Sequence, residues 1–269
     1  MIEIEGKTVL TELEELVAAD HTALVLVDMQ RDFVAPDGAF ARLGVDVSMY
    51  VTMRPRLASL LDAARRAGVL VVHVQMSSLP GRRSDSPPQI RFNLRMHEHA
   101  HTRVAPLEYT EVGSPGHEFV EDLAPVADEL VVPKWRSSGF WGTNLDLLLR
   151  SNGVQTVVVT GCTTEGCVES TARDAMFSDY YVVVADDCVA SDDPAQHDAS
   201  LFLMRHRFDL ASGAEIASTW GRTRDARRVQ RPASSEMLVA DLAANRRASA
   251  GRPLAVPQDG DPRGQQASE

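Results

Sequence analysis

The chain has 269 residues, 44% of them hydrophobic and 24% charged, which is enough to bury a sizeable core and typical of a globular protein. Its formal net charge of -11 argues against general nucleic-acid binding and favours work on small molecules. Three cysteines cannot frame a disulfide scaffold, and neither a signal peptide nor an apolar run of the roughly 20 residues that span a bilayer is present, so a cytoplasmic protein with no membrane partner is expected.

The first apolar run, "TALVLVDM" from Thr22 to Met29, is continuous and branched, as in a parallel strand buried on both faces. "MRPRLASLLDAARRAG" has helical spacing and stops at Gly68, and "VLVVHVQM" predicts a second buried strand. His73 in that strand reads as a packed or hydrogen-bonded residue. Residues 77–118 read as a long irregular excursion, a possible lid over a site, with the histidine cluster "HEHAH" (His97, His99, His101) inside it. "DELVVPK" predicts a third strand, "GTNLDLLLRSNGV" a helix and "QTVVVTG" a fourth strand. "CVESTARDAMFSD" follows as a helix, "YYVVVADD" as a fifth strand and "DPAQHDASLFLMRHRF" as a helix with Pro194 in its first turn. "AEIAST" is expected to be a final edge strand. Alternation at this spacing predicts an α/β fold, a mainly parallel sheet with helices on both faces. Residues 1–220 are expected to form that domain, and the arginine-rich, Pro/Gly-rich stretch 221–269 a tail.

In such folds sites collect at the carboxyl ends of strands. Asp28, Lys134 and the loop "GCTTEGC" all fall there. The chain has only two lysines, Lys7 and Lys134, against 25 arginines, so an interior lysine needs its own explanation. Cys162 and Cys167 could be a redox pair, part of a metal clamp, or a scaffold around one thiol. The C-x-x-C spacing of redox pairs is absent, and paired zinc ligands are missing unless the HEHAH histidines serve. A nucleophile is the third reading: Cys167 opens a helix, where unpaired N–H groups favour a thiolate. A nearby ammonium and a carboxylate would complete the site, with Lys134 and Asp28 as candidates. Cys162 and Cys188 read as small buried residues.

Taken together, "ALVLVDMQRDFV", "VVPKWRSSGFWGTNLDLLLR" and "VVVTGCTTEGCVESTARDA" resemble the isochorismatase-like cysteine hydrolases over roughly Thr22 to Trp220. The resemblance implies a three-layer α/β/α sandwich and a catalytic triad of Asp28, Lys134 and Cys167. It implies an oxyanion hole from the backbone N–H groups of Thr163 and Cys167, and a cis peptide at Cys162–Thr163. The implied reaction is hydrolysis of a linear amide C–N bond through an acyl-enzyme, with no cofactor and no metal. "APDGAFARLGVDVSMY" lacks the histidines of the metal-binding nicotinamidases, and Cys167 argues against vinyl-ether cleavage. The loops look nearest the N-carbamoylsarcosine amidohydrolase and biuret hydrolase group and ureidoacrylate amidohydrolase, implying a small ureido, carbamoyl or amide substrate. A metal-independent nicotinamidase-like amidase, an isochorismatase-type hydrolase and a non-catalytic binding or assembly member are the alternatives. The carbamoylsarcosine enzymes place an arginine after the fifth strand; "CVASDDPA" has none here. Arg207 is a candidate in its place, and Phe33, Trp135 and Phe140 are candidate pocket walls. The family also implies a homo-oligomer, a dimer or tetramer.

Overall fold

The structure, a computed structural model, describes residues 1–99 and 109–230. Met1–Ala226 form one compact unit, and Arg227–Glu269 a second, of which only the helical residues up to Gln230 are described. An antiparallel hairpin, β1 (Ile2–Ile4) and β2 (Lys7–Val9), leads through α1 (Leu13–Leu16) to the first sheet strand, β3 (Thr22–Val27). Then come α2 (Arg31–Val34), α3 (Ala39–Arg42), α4 (Ser48–Ala67), β4 (Leu70–Met76), α5 (Pro87–His99) and β5 (Leu130–Lys134). The second half runs α6 (Leu145–Ser151), β6 (Thr156–Cys162), α7 (Glu169–Phe177), β7 (Tyr181–Ala190), α8 (Pro194–Met204), β8 (Asp209–Ala211) and α9 (Gly213–Gln230).

Strands β3 to β8 form one sheet in the order β5-β4-β3-β6-β7-β8, parallel at every pairing. β3 is apolar at nearly every residue because each of its faces meets a core. Leu24 and Leu26 point to one side with Leu57, Leu60 and Leu61 of α4 and Ile216 and Trp220 of α9. Ala23, Val25 and Val27 point to the other, against Leu145 and Leu149 of α6, Ala172 and Ala175 of α7, and Met204 of α8. Each such Leu, Ile, Val or Met side chain contributes roughly 1.5–3 kcal/mol by leaving water. The result is the expected three-layer α/β/α sandwich. Pro133 is tolerated in β5 because that strand is an edge. No described helix is long and apolar enough to cross a membrane.

Two segments differ from the sequence reading. Residues 77–118 are not wholly irregular, since Pro87–His99 is helical. Pro87 and Pro88 suit a first turn, and the Ser86 hydroxyl accepts from the Gln89 N–H at 3.4 Å as an N-cap. "AEIAST", expected as an edge strand, lies instead inside α9, and the edge strand is Asp209–Ala211. A capping box decides it: the Ser212 N–H donates to Glu215 Oε2 at 2.8 Å, and the Glu215 N–H to Ser212 Oγ at 3.3 Å. Ile216 and Trp220, one helical turn apart, then both reach the core. This helix also continues past Gly221, where the tail was expected to start. The imidazoles of His97 and His99, all of His101, and residues 231–269 lie outside the described residues.

His73 belongs to a structural clasp. Glu129, just before β5, receives Arg65 of α4 on both carboxylate oxygens, at 2.8 and 3.0 Å, and the His73 ring stands 2.9 Å away. Burial opposes ionisation, yet these donors hold the Glu129 carboxyl well below its usual 4.5, at about 2. A group with a depressed folded pKa stabilises above its unfolded value and loses that contribution as pH falls through the folded one. Glu129→Gln is therefore expected to cost about 2–3 kcal/mol at neutral pH. The deficit should shrink as pH drops from about 4.5 toward 2, which urea unfolding at several pH values would measure.

Candidate active site

The sheet starts at its centre. From β3 the chain moves outward through β4 to β5, then returns to β6 on the other flank of β3. Connections leaving β3 and β6 therefore diverge, and a crevice opens at their carboxyl ends. Asp28 follows β3, Lys134 ends β5, and the 162–167 loop follows β6. The structure brings all three predicted residues together.

Asp28 continues the parallel ladder with its N–H on the Val74 carbonyl at 2.9 Å. Its φ of 56° then turns the chain, and its Oδ1 accepts the Met76 N–H at 2.9 Å, so a carboxylate caps the end of β4. Lys134 lies on the far side of β4, opposite Met76 in register. Its side chain crosses over Met76, Nζ passing 3.5 Å from the sulfur. Its ammonium donates to Cys167 Sγ and to the Arg136 carbonyl, both at 3.1 Å, and forms an ion pair with Asp28 Oδ2 at 2.8 Å. With 0% exposure, this is the buried lysine that the chain's arginine habit singled out.

Burial acts on the three groups in opposite ways. It pushes the Cys167 thiol up to about 12, with Lys134 pulling it down and Asp28 pushing it further up. It also raises the Asp28 carboxyl, against the pull of Lys134. Lys134 is desolvated too, but two potential anions outweigh that and raise it, so it stays an ammonium. One cation thus faces two acids in a buried site. Cys162 and Cys188 are buried free thiols, with burial the largest cause of their raised pKa values.

The loop carrying Cys167 is shaped by glycine. Gly161 sits at φ 107°, and a Cβ there would lie 2.1 Å from the Val27 carbonyl oxygen. Gly161→Ala is expected to destabilise by about 3 kcal/mol and to cost activity as well, as thermal unfolding and turnover would show. The Cys162–Thr163 peptide is cis. Thr164–Val168 then form a single π-type turn before α7, a wide turn that recurs at functional sites. Cys167 is thus presented from that turn rather than from the first residue of the helix, as the sequence had suggested. Its carbonyl is held by Thr171 Oγ1 at 2.7 Å, and the same hydroxyl accepts the Gly139 N–H at 2.9 Å.

Asp28, Thr163, Gly166 and Cys167 border a cavity of about 100 Å³. Phe33 lines it, packed edge-on against Phe40 at 4.9 Å and Tyr109 at 5.6 Å, so three aromatic rings make one wall. Trp135, Phe140 and Arg207 do not border it. Trp135 is half-buried, Phe140 leans on Tyr180 at 6.0 Å against the second core, and Arg207 is exposed in the turn after α8. The remaining wall was missed by the sequence reading: Phe40, Val45, Met76, Tyr109, Ser137, Asp192, and Gln89, Phe92 and Asn93 of α5. For α5 a signal existed, since Gln89, Phe92 and Asn93 stand at i, i+3 and i+4, one helix face.

Residues 22–219 match the family model of the Isochorismatase domain. An isochorismatase family protein from Desulfovibrio vulgaris is 29% identical, covering 75% of this chain and 99% of its own, with a TM-score of 0.62. N-carbamoylsarcosine amidase from Thermoplasma acidophilum is 29% identical over 71% of this chain and 96% of its own, with a TM-score of 0.56. Pyrazinamidase from Pyrococcus horikoshii, whose structure is a complex with zinc, is 28% identical over 71% and 99%, with a TM-score of 0.58. Among the described residues the donors at this cavity do not group to fit a metal ion. Asp32, near the cavity, spends its carboxylate on the N–H groups of Ala39 at 3.1 Å and Thr110 at 2.7 Å. Among the described residues no three His, Cys, Asp or Glu side chains group to hold one.

Proposed function

The chain belongs to the isochorismatase family, and on that premise we propose that it is a cysteine amidohydrolase cleaving the C–N bond of a small amide or ureido compound. The observation that carries the reading is Lys134 Nζ placed between Asp28 Oδ2 and Cys167 Sγ in a buried site opening on a small cavity. Asp28 takes the thiol proton as Cys167 sulfur attacks the carbonyl carbon. Lys134 keeps the developing thiolate in place by charge. The tetrahedral oxyanion is received by the backbone N–H groups of Thr163 and Cys167, donors of a kind worth about 3–4 kcal/mol in the transition state. Collapse breaks the C–N bond, and the leaving nitrogen collects the proton from Asp28. Water then adds to the thioester with Asp28 as base, releasing the acid and restoring the thiol.

The test is ammonia release across ureido acids, carbamoyl amino acids, biuret and simple amides. Turnover of at least one class is expected. None, from an enzyme whose Cys167 still reacts with iodoacetamide, would overturn the reading. The pH profile of kcat/KM should fall on the acid side as Asp28 protonates, with an apparent pKa above the ordinary carboxylate range because burial raises that group. A free-thiol reaction suits a reducing cytoplasm, and a homo-oligomer is part of the same proposal; sedimentation velocity of the full chain checks the latter.

A further inference from the structure

Among the described residues the cavity wall carries, besides Asp28, one formal charge, and it is negative. Asp192 lies half-buried in the loop between β7 and α8. Its Oδ1 accepts the Tyr50 hydroxyl at 3.2 Å. Tyr50 is fully buried on α4, and burial raises its hydroxyl pKa, so it remains a donor and holds Asp192 as an acceptor. Among the described residues no cation pairs with Asp192, and no arginine or lysine borders the cavity. Lys134 is spent beneath it on three partners, and Arg136 turns away to the Ser84 carbonyl at 3.2 Å. The aromatic group of Phe33, Phe40 and Tyr109 lines the same cavity.

A carboxylate-bearing substrate would lose its water there and face the unpaired Asp192 carboxylate, with Lys134 already committed to Asp28 and Cys167, an arrangement that low dielectric makes costly. A cationic or N–H-bearing end would find an acceptor in Asp192 and aromatic rings in the same lining. We infer that Asp192 determines specificity: the cavity takes amides whose non-reacting end is an ammonium or another N–H donor on an apolar body, and turns away carboxylates. The inference rests on the reading of this cavity as the substrate site.

A test independent of turnover uses three methanethiosulfonates, carrying trimethylammonium, methyl or sulfonate groups. Each forms a disulfide with Cys167 and releases methanesulfinate. Labelling of the Cys167 peptide is followed by mass spectrometry, each rate divided by that on free cysteine. The cationic reagent is expected to outpace the sulfonate about tenfold, as a cleft of one sign concentrates the opposite charge. Asp192→Asn should pull this ratio toward one, Asp192→Glu should keep it, and Asp192→Arg should reverse it. A ratio that Asp192→Asn and Asp192→Arg leave unmoved would overturn the inference. Matched amides ending in ammonium, methyl or carboxylate separate it from the functional reading. Turnover with no end-group preference sinks the specificity and spares the amidohydrolase; a labelling ratio governed by Asp192 without any turnover does the reverse.

Discussion

Cys167→Ala is expected to lower kcat/KM for the best amide by about 10⁴-fold or more, since removing a nucleophile leaves only binding and oxyanion contacts. Cys167→Ser should do little better. A serine hydroxyl is a weaker acid than a thiol, and the pull of Lys134, which holds Cys167 Sγ at 3.1 Å, would have to overcome that difference as well as burial. Neither change should unfold the protein, because the side chain is small and borders a cavity. Ammonia release and thermal unfolding, measured on the same preparations, check both halves. Residual activity within about tenfold of the parent would point away from thiol chemistry and toward a vinyl-ether route, which needs no sulfur.

Lys134→Met tests the cation and should damage two properties at once. Methionine fills much of the volume but leaves Asp28 with only the Met76 N–H on its carboxylate, and leaves the thiolate without a counter-charge. Activity should fall by about 10³-fold. Stability at about pH 7 should fall by roughly 3–5 kcal/mol, the usual result of orphaning one member of a buried pair. The pH dependence gives the signature. Burial already raises the Asp28 pKa in the folded protein, and without Lys134 it rises further. An acid with a raised folded pKa destabilises above that pKa, and the penalty vanishes below its unfolded value. The variant's deficit should therefore shrink between about pH 7 and about pH 4, as denaturant titrations at both ends would reveal. A deficit independent of pH would mean that packing, not charge, is what Lys134 supplies.

Much of the fold is legible in the sequence because a sheet buried on both faces leaves a simple trace. Runs such as "TALVLV" have no polar alternation to confuse them, and each ends at a residue with chemistry to perform. Lys134 stood out by composition. What failed was local and short. "AEIAST" has too few residues for periodicity to separate strand from helix, and the capping pair Ser212 and Glu215 was the better guide. The site's floor was readable because three strand ends converge. Its walls were not, since they depend on how α5 and the loop after β7 fold over those ends. Phe140 is the instructive case: close in sequence to Lys134 and aromatic, it serves the core through Tyr180. Asp192 reaches the cavity from beyond the fifth predicted strand, by the same strand-end rule that marked Asp28.

Asp28, Lys134 and Cys167 are fastened to the ends of strands in the middle and at one border of the sheet, whereas Gln89, Asn93 and Asp192 stand on segments laid over them. The three groups proposed to react are positioned from the strand ends of the sheet, whereas the covering segments can be rewritten residue by residue. Such a molecule is open to change in only one respect. A descendant of this chain could adopt a new substrate through a handful of substitutions in α5 or beside Asp192 while inheriting its bond-breaking chemistry intact, and a designer could follow the same route.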